Sequence, residues 1–251
     1  MVKNKALDIA DAVFGAFLFF YPHNRGGMLL DEFSSLTPEI PNDCPATPHG
    51  LDIVVYDLEI KTPIDGVNVT WDQHERMGIS VGCALDYLTG DISVYFEKDI
   101  PRLVERLNRA SLVVGFNTVG FDNLLLRRCG HKLAPDDALF NYDILIHSRQ
   151  AVGWTPGSRN FPKGMKLDNH LEAMYGEKLM KTGHGELAPK LYQSGQLGEL
   201  ASYCVADVRR EAMVFENIWT RGFVATLSHG VRFLEHPSHS LRGAHANEPL
   251  R

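Results

Sequence analysis

Short apolar runs open the central part of this chain. They cover Ile53 to Ile60, Gly78 to Leu85 and Asp91 to Phe96, and Thr89-Gly90 stands between the last two. Apolar runs rich in β-branched residues and bounded by turn residues are typical of strands. This pattern predicts a three-stranded antiparallel meander.

The next part of the chain alternates between helical and strand-like patterns. Between residues 100 and 110, apolar residues recur at the spacing of one helix face, and arginines occupy the opposite face. The same reasoning predicts a strand at 112–115, a helix at 122–129, a strand near 139–144, helices at 145–152 and 165–175, and a long helix at 196–220. The predicted order is therefore meander, helix, strand, helix, strand and further helices.

Acidic residues interrupt this apolar pattern at three places. Asp57 and Glu59 are spaced i, i+2 in the first strand, so both side chains lie on one face. Asp122 stands at the start of a Leu-rich helix, and Tyr203 and Asp207 are spaced i, i+4 on one helix face. Buried charges are normally paired or bound to a metal. We therefore predict that these residues form one cation site.

Each of these residues also has a simpler interpretation. Asp57 and Glu59 would be unremarkable on an exposed edge strand, and Asp122 would be a helix-start aspartate stabilised by the helix dipole. Asp207 would pair with Arg210, one helical turn further on. The occurrence of all three patterns in order favours the cation site over these alternatives.

The three patterns resemble the motifs of the DEDD (DnaQ-like) 3′-to-5′ exonucleases. These are Asp-x-Glu at 57–59, Gly-Phe-Asn-x-x-x-Phe-Asp at 115–122, and Tyr-x-x-x-Asp at 203–207. A tyrosine four residues before the last aspartate is similar to the tyrosine branch of the family (DEDDy), whereas the histidine branch has its base at the position of Ser202. The second motif is most similar to the exonuclease domain of family B DNA polymerases.

The resemblance implies a ribonuclease H-like fold, an α/β architecture in which helices flank a mixed five-stranded sheet. It also implies two divalent ions, Mg²⁺ or Mn²⁺, which oxygen ligands favour. By resemblance, Asp57 bridges the two ions, and Glu59 and Asp207 complete the water-activating site. Asp122 would serve the second ion, partly through water, and Tyr203 would orient the nucleophilic water.

The implied reaction shortens single-stranded nucleic acid from its 3′ end and releases 5′-mononucleotides, with DNA preferred over RNA. Two other functions stay open: a non-catalytic module that binds nucleic acid or a partner, and an RNA-directed exonuclease similar to ribonuclease D. A replication or repair protein is a further expected partner. The candidate contacts to the terminal nucleotide are Leu58, Phe116, Asn117 and Phe121.

Two further sets of polar residues have open interpretations. A basic group between the second and third motifs either guides the phosphate backbone or forms a solvated surface, and Asp143 is either a recurring family aspartate or a helix cap. The histidines near the C-terminus are irregularly spaced, which does not favour a metal site. The basic group comprises Lys163, Lys166, Lys178, Lys181, His184 and Lys190, and the histidines are His229, His236, His239 and His245.

Charge and composition bear on the binding partners and the cellular location of this protein. The formal net charge of −6 gives no global attraction to nucleic acid, so phosphate binding requires a local patch or metal. Four widely separated cysteines and an N-terminal apolar run too short to span a bilayer predict a cytoplasmic protein without a membrane segment. We expect an N-terminal extension and loop at 1–50, the exonuclease domain at 51–225, and a disordered tail at 226–251.

Overall fold

A mixed five-stranded sheet forms the centre of the protein. The computed structural model describes residues 44–176 and 187–242, and the strand order is β3-β2-β1-β4-β5. β1–β2 and β2–β3 pair antiparallel, whereas β1–β4 and β4–β5 pair in parallel. The predicted meander and the α/β class are confirmed. The strands are β1 (Ile53–Ile60), β2 (Ile79–Asp86), β3 (Asp91–Phe96), β4 (Leu112–Gly115) and β5 (Asn141–Asp143).

Helices cover both faces of this sheet, which gives the ribonuclease H-like fold. Their predicted positions were correct to within a few residues, except that α1 and α6 were not predicted. α6 was missed because it is short, contains Pro189 and follows a stretch rich in glycine and polar residues. The helices are α1 (His74–Met77), α2 (Ile100–Arg109), α3 (Asp122–Arg128), α4 (Ile144–Gln150), α5 (Leu167–Tyr175), α6 (Leu187–Gln193) and α7 (Leu197–Arg221).

The two faces of β1 enter two separate hydrophobic clusters. Val55 belongs to the cluster that contains the apolar side of α7, and Val54 and Tyr56 belong to the cluster formed with α2 and α3. Because successive side chains of a strand alternate between faces, Asp57 and Glu59 follow Val55 onto the face covered by α7. The core pattern of β1 therefore decides where the two acids lie.

The C-terminal tail, expected to be disordered from residue 226, is instead folded as far as residue 242. Strands β6 (Phe223–Thr226) and β7 (Gly230–Phe233) form a hairpin. The hydroxyl of Tyr142 donates to the carbonyl of Glu235 at 2.8 Å, and a ring nitrogen of His236 lies 2.8 Å from the carbonyl of Trp219. The prediction was wrong because these stabilising contacts come from residues far away in sequence.

Several predictions concern residues outside the described ranges. They include most of the N-terminal extension, the middle of the basic group (Lys178, Lys181 and His184), and the last residues of the tail with His245. Within the described residues, no helix combines the length and the apolar character needed to cross a membrane.

Candidate metal centre

Three carboxylates meet between β1 and α7. Asp57 and Glu59 come from β1, and Asp207 comes from the third turn of α7. One oxygen atom from each of the three side chains can be chosen so that all lie within 4.8 Å of one another. Glu59 and Asp207 are buried, and Asp57 is half-buried. Like charges repel at this distance, so a bound cation would stabilise the arrangement when the carboxylates are ionised.

Asp122 approaches the same place from the start of α3. Its side chain is 4% exposed, and its Oδ1 atom has no hydrogen-bond partner among the described residues. Burial raises the pKa of Asp122 well above its ordinary value, and the negative charge of Asp57 raises it further. Asp122 is therefore close enough to Asp57 for their charges to interact, although it is outside the group of three carboxylates defined by the 4.8 Å distance.

Asp207 also forms an ion pair with Arg210 on the same helix. The simpler interpretation of Asp207 is thus observed in the structure, together with its position beside Asp57 and Glu59. The two side chains of the ion pair are 7% and 13% exposed, respectively, so water screens the pair only weakly. Arg210 is a cation already present at the edge of the carboxylate group.

Tyr203 lies one helical turn before Asp207, on the side of α7 that faces α6. It lines an open cavity of about 410 Å³ together with Arg210, Ser202 and Leu191. The cavity borders the carboxylate group because Arg210, which pairs with Asp207, belongs to its wall. Tyr203 thus lines an open cavity whose wall also contains the ion-pair partner of Asp207.

Glu211 is a site residue that the sequence analysis missed. It stands one turn after Asp207 on α7 and is 3% exposed. Burial raises the pKa of Glu211 well above its ordinary value, and the charges of Asp57 and Asp122 raise it further. The signal was available in the sequence, because residues 203, 207 and 211 form one i, i+4 series on a single helix face.

Asp143 supports the loop that bears the second motif. Its carboxylate caps α4 by accepting from the amides of Leu145 and Ile146 at 3.0 and 3.2 Å. It also accepts from the amides of Asn117 and Val119, both at 3.0 Å. The capping interpretation is therefore observed, and the same carboxylate orders the loop between β4 and α3.

The candidate nucleotide contacts fall into different environments. Leu58 is 4% exposed and packs in the hydrophobic core, and Phe116 contacts the ring of His170 edge-on. Asn117 has a left-handed backbone with φ of 69°. These three residues do not form an open surface together.

Phe121, directly before Asp122, is partly buried and packs against the hydrophobic cluster beside α2 and α3. Its ring contacts the ring of Trp71 edge-to-face, with centroids 5.7 Å apart, and Trp71 is 68% exposed. The sequence analysis did not consider Trp71, because the loop between β1 and α1 has no periodic pattern to place it. The two rings form an aromatic surface beside the start of α3.

Of the remaining polar candidates, Cys204 contacts the carboxylates, since its Sγ atom lies 3.7 Å from Oδ2 of Asp57. Lys163, Lys166 and Lys190 are exposed, and the backbone carbonyl of Lys163 is 2.9 Å from a ring nitrogen of His229. His236 is 2% exposed and bonded within the hairpin region, which is a structural role. The free cysteines Cys44, Cys83, Cys129 and Cys204 form no disulfide.

Comparison with known proteins gives a limited result. No protein-family model matches this sequence, and no curated protein matches it. One solved structure that it resembles is the family B DNA polymerase from the hyperthermophilic archaeon Pyrobaculum calidifontis, with a TM-score of 0.48 and 14% sequence identity. The similarity covers 66% of this chain and 24% of the polymerase chain, so the chain matches only about a quarter of that protein.

Proposed function

We propose that this protein is a metal-dependent nuclease that removes nucleotides from the 3′ end of single-stranded nucleic acid. The observation on which the proposal rests is the convergence of Asp57, Glu59 and Asp207 within 4.8 Å between a strand and a helix. A group of buried carboxylates in which oxygen is the only donor fits Mg²⁺ or Mn²⁺ better than softer-ligand metals such as Zn²⁺ or Cu⁺. The uncompensated Oδ1 atom of buried Asp122 fits a cation as well.

Two divalent ions in such a site would stabilise the attacking and leaving oxygens of a phosphodiester and lower the pKa of bound water. In the proposal, Asp57, Glu59 and Asp207 hold the ion that faces the nucleophilic water, and Asp122 faces the second ion. Tyr203 uses its hydroxyl, which both donates and accepts hydrogen bonds, to orient the water. Its position one turn before Asp207, in the wall of an open cavity, supports this role.

The substrate proposal is a single-stranded 3′ end, with DNA preferred over RNA. The net charge of −6 means that local features must hold the substrate, and the rings of Trp71 and Phe121 offer a stacking surface beside Asp122. The preference for DNA rests on the resemblance of residues 115–122 to the second motif of family B polymerases. A partner in replication or repair and a cytoplasmic location remain part of this proposal.

The test is degradation of 5′-labelled single-stranded DNA and RNA of one sequence, with Mn²⁺, Mg²⁺ or EDTA. We expect a metal-dependent ladder that shortens from the 3′ end. Asp57→Asn and Asp207→Asn should each slow hydrolysis about 10²- to 10³-fold or more, as loss of a preorganised charge at a reacting phosphate does. Asp91→Asn, which changes an exposed carboxylate on β3, is the matched control and should leave the rate unchanged.

The same assay separates the alternatives. Cleavage of a substrate with a blocked 3′ end would identify an endonuclease instead. A ladder on RNA alone would favour the ribonuclease D-like activity. Binding of both substrates without cleavage by any metal-loaded protein would leave only the non-catalytic module.

A further inference from the structure

Glu211 is a buried carboxylate for which the proposed reaction has so far assigned no role. It is 3% exposed, and its Oε2 atom has no hydrogen-bond partner within the described ranges. A carboxylate oxygen left unpaired in the interior destabilises the fold. A bound cation would compensate the charge of this carboxylate, which stands one turn after Asp207 on α7.

The surroundings of Glu211 place it at the end of β4, beside the middle of β1. A Cβ atom placed on Gly115 would lie 2.9 Å from the carbonyl oxygen of Tyr56 and 3.5 Å from Oε2 of Glu211. The missing side chain at Gly115 thus leaves the space in which the carboxylate approaches the two strands. The backbone amide of Phe116 hydrogen-bonds to the carboxyl group, which holds it in this position.

The charges of Asp57 and Asp122 both act on Glu211. Asp57 belongs to the group of three carboxylates, whereas Asp122 and Glu211 lie outside that group. Both of these outer residues are more than nine-tenths buried, and each has an oxygen atom without a hydrogen-bond partner in the described part of the chain. They therefore define a second place where negative charge is uncompensated.

The charge balance agrees with two cations. Asp143 also acts on Asp122 and Glu211, but it accepts four backbone hydrogen bonds and interacts with the charge of Arg149, so it is left out of the count. When the other acids are ionised, one guanidinium offsets one of the five carboxylates, and four negative charges remain. Two divalent ions neutralise this remainder, whereas one ion leaves half of it unbalanced. The groups counted are Asp57, Glu59, Asp122, Asp207, Glu211 and Arg210.

We propose that Glu211 is an additional ligand of the second divalent ion, which it binds directly or through one water molecule together with Asp57 and Asp122. The proposal rests on the proposed function for the presence of two ions, and it adds a ligand from α7 that the three motifs do not include. The structural alternative is that Glu211 only accepts the hydrogen bond of the Phe116 amide. Glutamine keeps that acceptor and removes the charge, so Glu211→Gln distinguishes the two roles.

The experiment is titration of the metal-free protein with Mn²⁺, in which free Mn²⁺ is followed by electron paramagnetic resonance and heat is measured in parallel. We expect two bound ions in the wild type. Glu211→Gln should keep the first affinity and weaken the second about 10- to 100-fold, the range seen when groups that support a metal site are removed. Glu216→Gln, on the same helix but hydrogen-bonded to Tyr87, should bind both ions as the wild type does.

The outcomes separate this inference from the proposed function. Two ions bound by Glu211→Gln with unchanged affinities would overturn the ligand role of Glu211 and leave the nuclease proposal intact. A wild type that binds no Mn²⁺ would overturn both. The melting temperature of each variant in EDTA shows that it is folded.

If Glu211→Gln does not fold, crystals of the wild type grown with Mn²⁺ decide the question. An anomalous peak at about 2.0–2.3 Å from a Glu211 oxygen, or from a water bound to that oxygen, would support the inference. Two peaks with Glu211 bonded to neither would contradict it.

Discussion

Two groups of acidic residues in this protein have opposite surroundings. At the start of β1, Asp52 and Asp86 both accept from Arg106 at 2.7 Å. Asp52 also accepts from the amide and hydroxyl of Ser111, at 2.9 and 3.0 Å. In the candidate metal centre further along β1, by contrast, oxygens of Asp122 and Glu211 have no hydrogen-bond partner among the described residues.

The pKa shifts follow the same division. Burial alone would raise the pKa of Asp86, but the hydrogen bond and charge of Arg106 hold it below its ordinary value. Burial raises the pKa values of Asp122 and Glu211, and neighbouring carboxylates add to the effect. The fold thus compensates the charge of Asp86 with Arg106, whereas neighbouring negative charges act against the ionised forms of Asp122 and Glu211.

The largest expected effect is on how the stability of the metal-free protein depends on pH. The folded-state pKa values of Asp122 and Glu211 lie above their unfolded values near 4. Their contribution to stability is therefore fully present below about pH 4 and is lost as pH rises through the folded pKa values. In EDTA, the contribution of these two groups should make the protein more stable at pH 5 than at pH 8.

Melting temperatures from pH 5 to 8 in EDTA check this expectation. The variant Asp122→Asn provides the control, because it should flatten the pH dependence. Stability that rises steadily with pH, in the wild type and in this variant alike, would contradict the assignment. Asp86 has a lowered pKa and acts in the opposite direction, since its contribution is lost as pH falls.

The second effect is stabilisation by metal. A cation that binds the folded state alone raises the free energy of unfolding by about 2.7 kcal/mol at one hundred times its dissociation constant. We expect Mn²⁺ to raise the melting temperature at pH 7.5 and Asp57→Asn to remove most of the increase. If neither Mn²⁺ nor Mg²⁺ changes the melting temperature, the carboxylates of the candidate metal centre have a structural role, as Asp52 does.

The third effect concerns the ion-paired group at the start of β1, which consists of Asp52, Asp86 and Arg106. Arg106→Met should lower the free energy of unfolding by about 1–2 kcal/mol, because Asp52 and Asp86 lose their shared partner while remaining partly open to water. Urea denaturation measures this change. Hydrolysis and Mn²⁺ affinity should stay unchanged, and a loss of either would mean that this group and the candidate metal centre are coupled.

The smallest effect is at the aromatic surface formed by Trp71 and Phe121 beside the start of α3. Trp71→Ala should weaken binding of single-stranded DNA by about 1 kcal/mol, the lower end for a base stacked on an aromatic ring. Fluorescence anisotropy with Ca²⁺ in place of Mn²⁺ measures binding without cleavage. Trp71→Phe should restore most of the affinity, and Phe161→Ala, on another exposed loop, should have no effect.

The local patterns of the sequence determined most of the sheet and the longest helix. The apolar run Ile53–Ile60 and the periodicity of α7 are local properties, because both can be read from neighbouring positions in the sequence. These patterns also placed Asp57 and Glu59 on one face and Tyr203 and Asp207 on another. The sequence alone was therefore enough to propose a cation site.

The tertiary structure decided which groups are left without partners. Asp52 and Asp122 are both aspartates, but the fold gives them different neighbours. Arg106 bonds to Asp52, whereas other carboxylates surround Asp122. The role of Glu211 and the order of the C-terminal hairpin likewise depend on contacts between residues far apart in sequence. A sequence pattern reports local periodicity, whereas burial and hydrogen-bond satisfaction are properties of the complete packing.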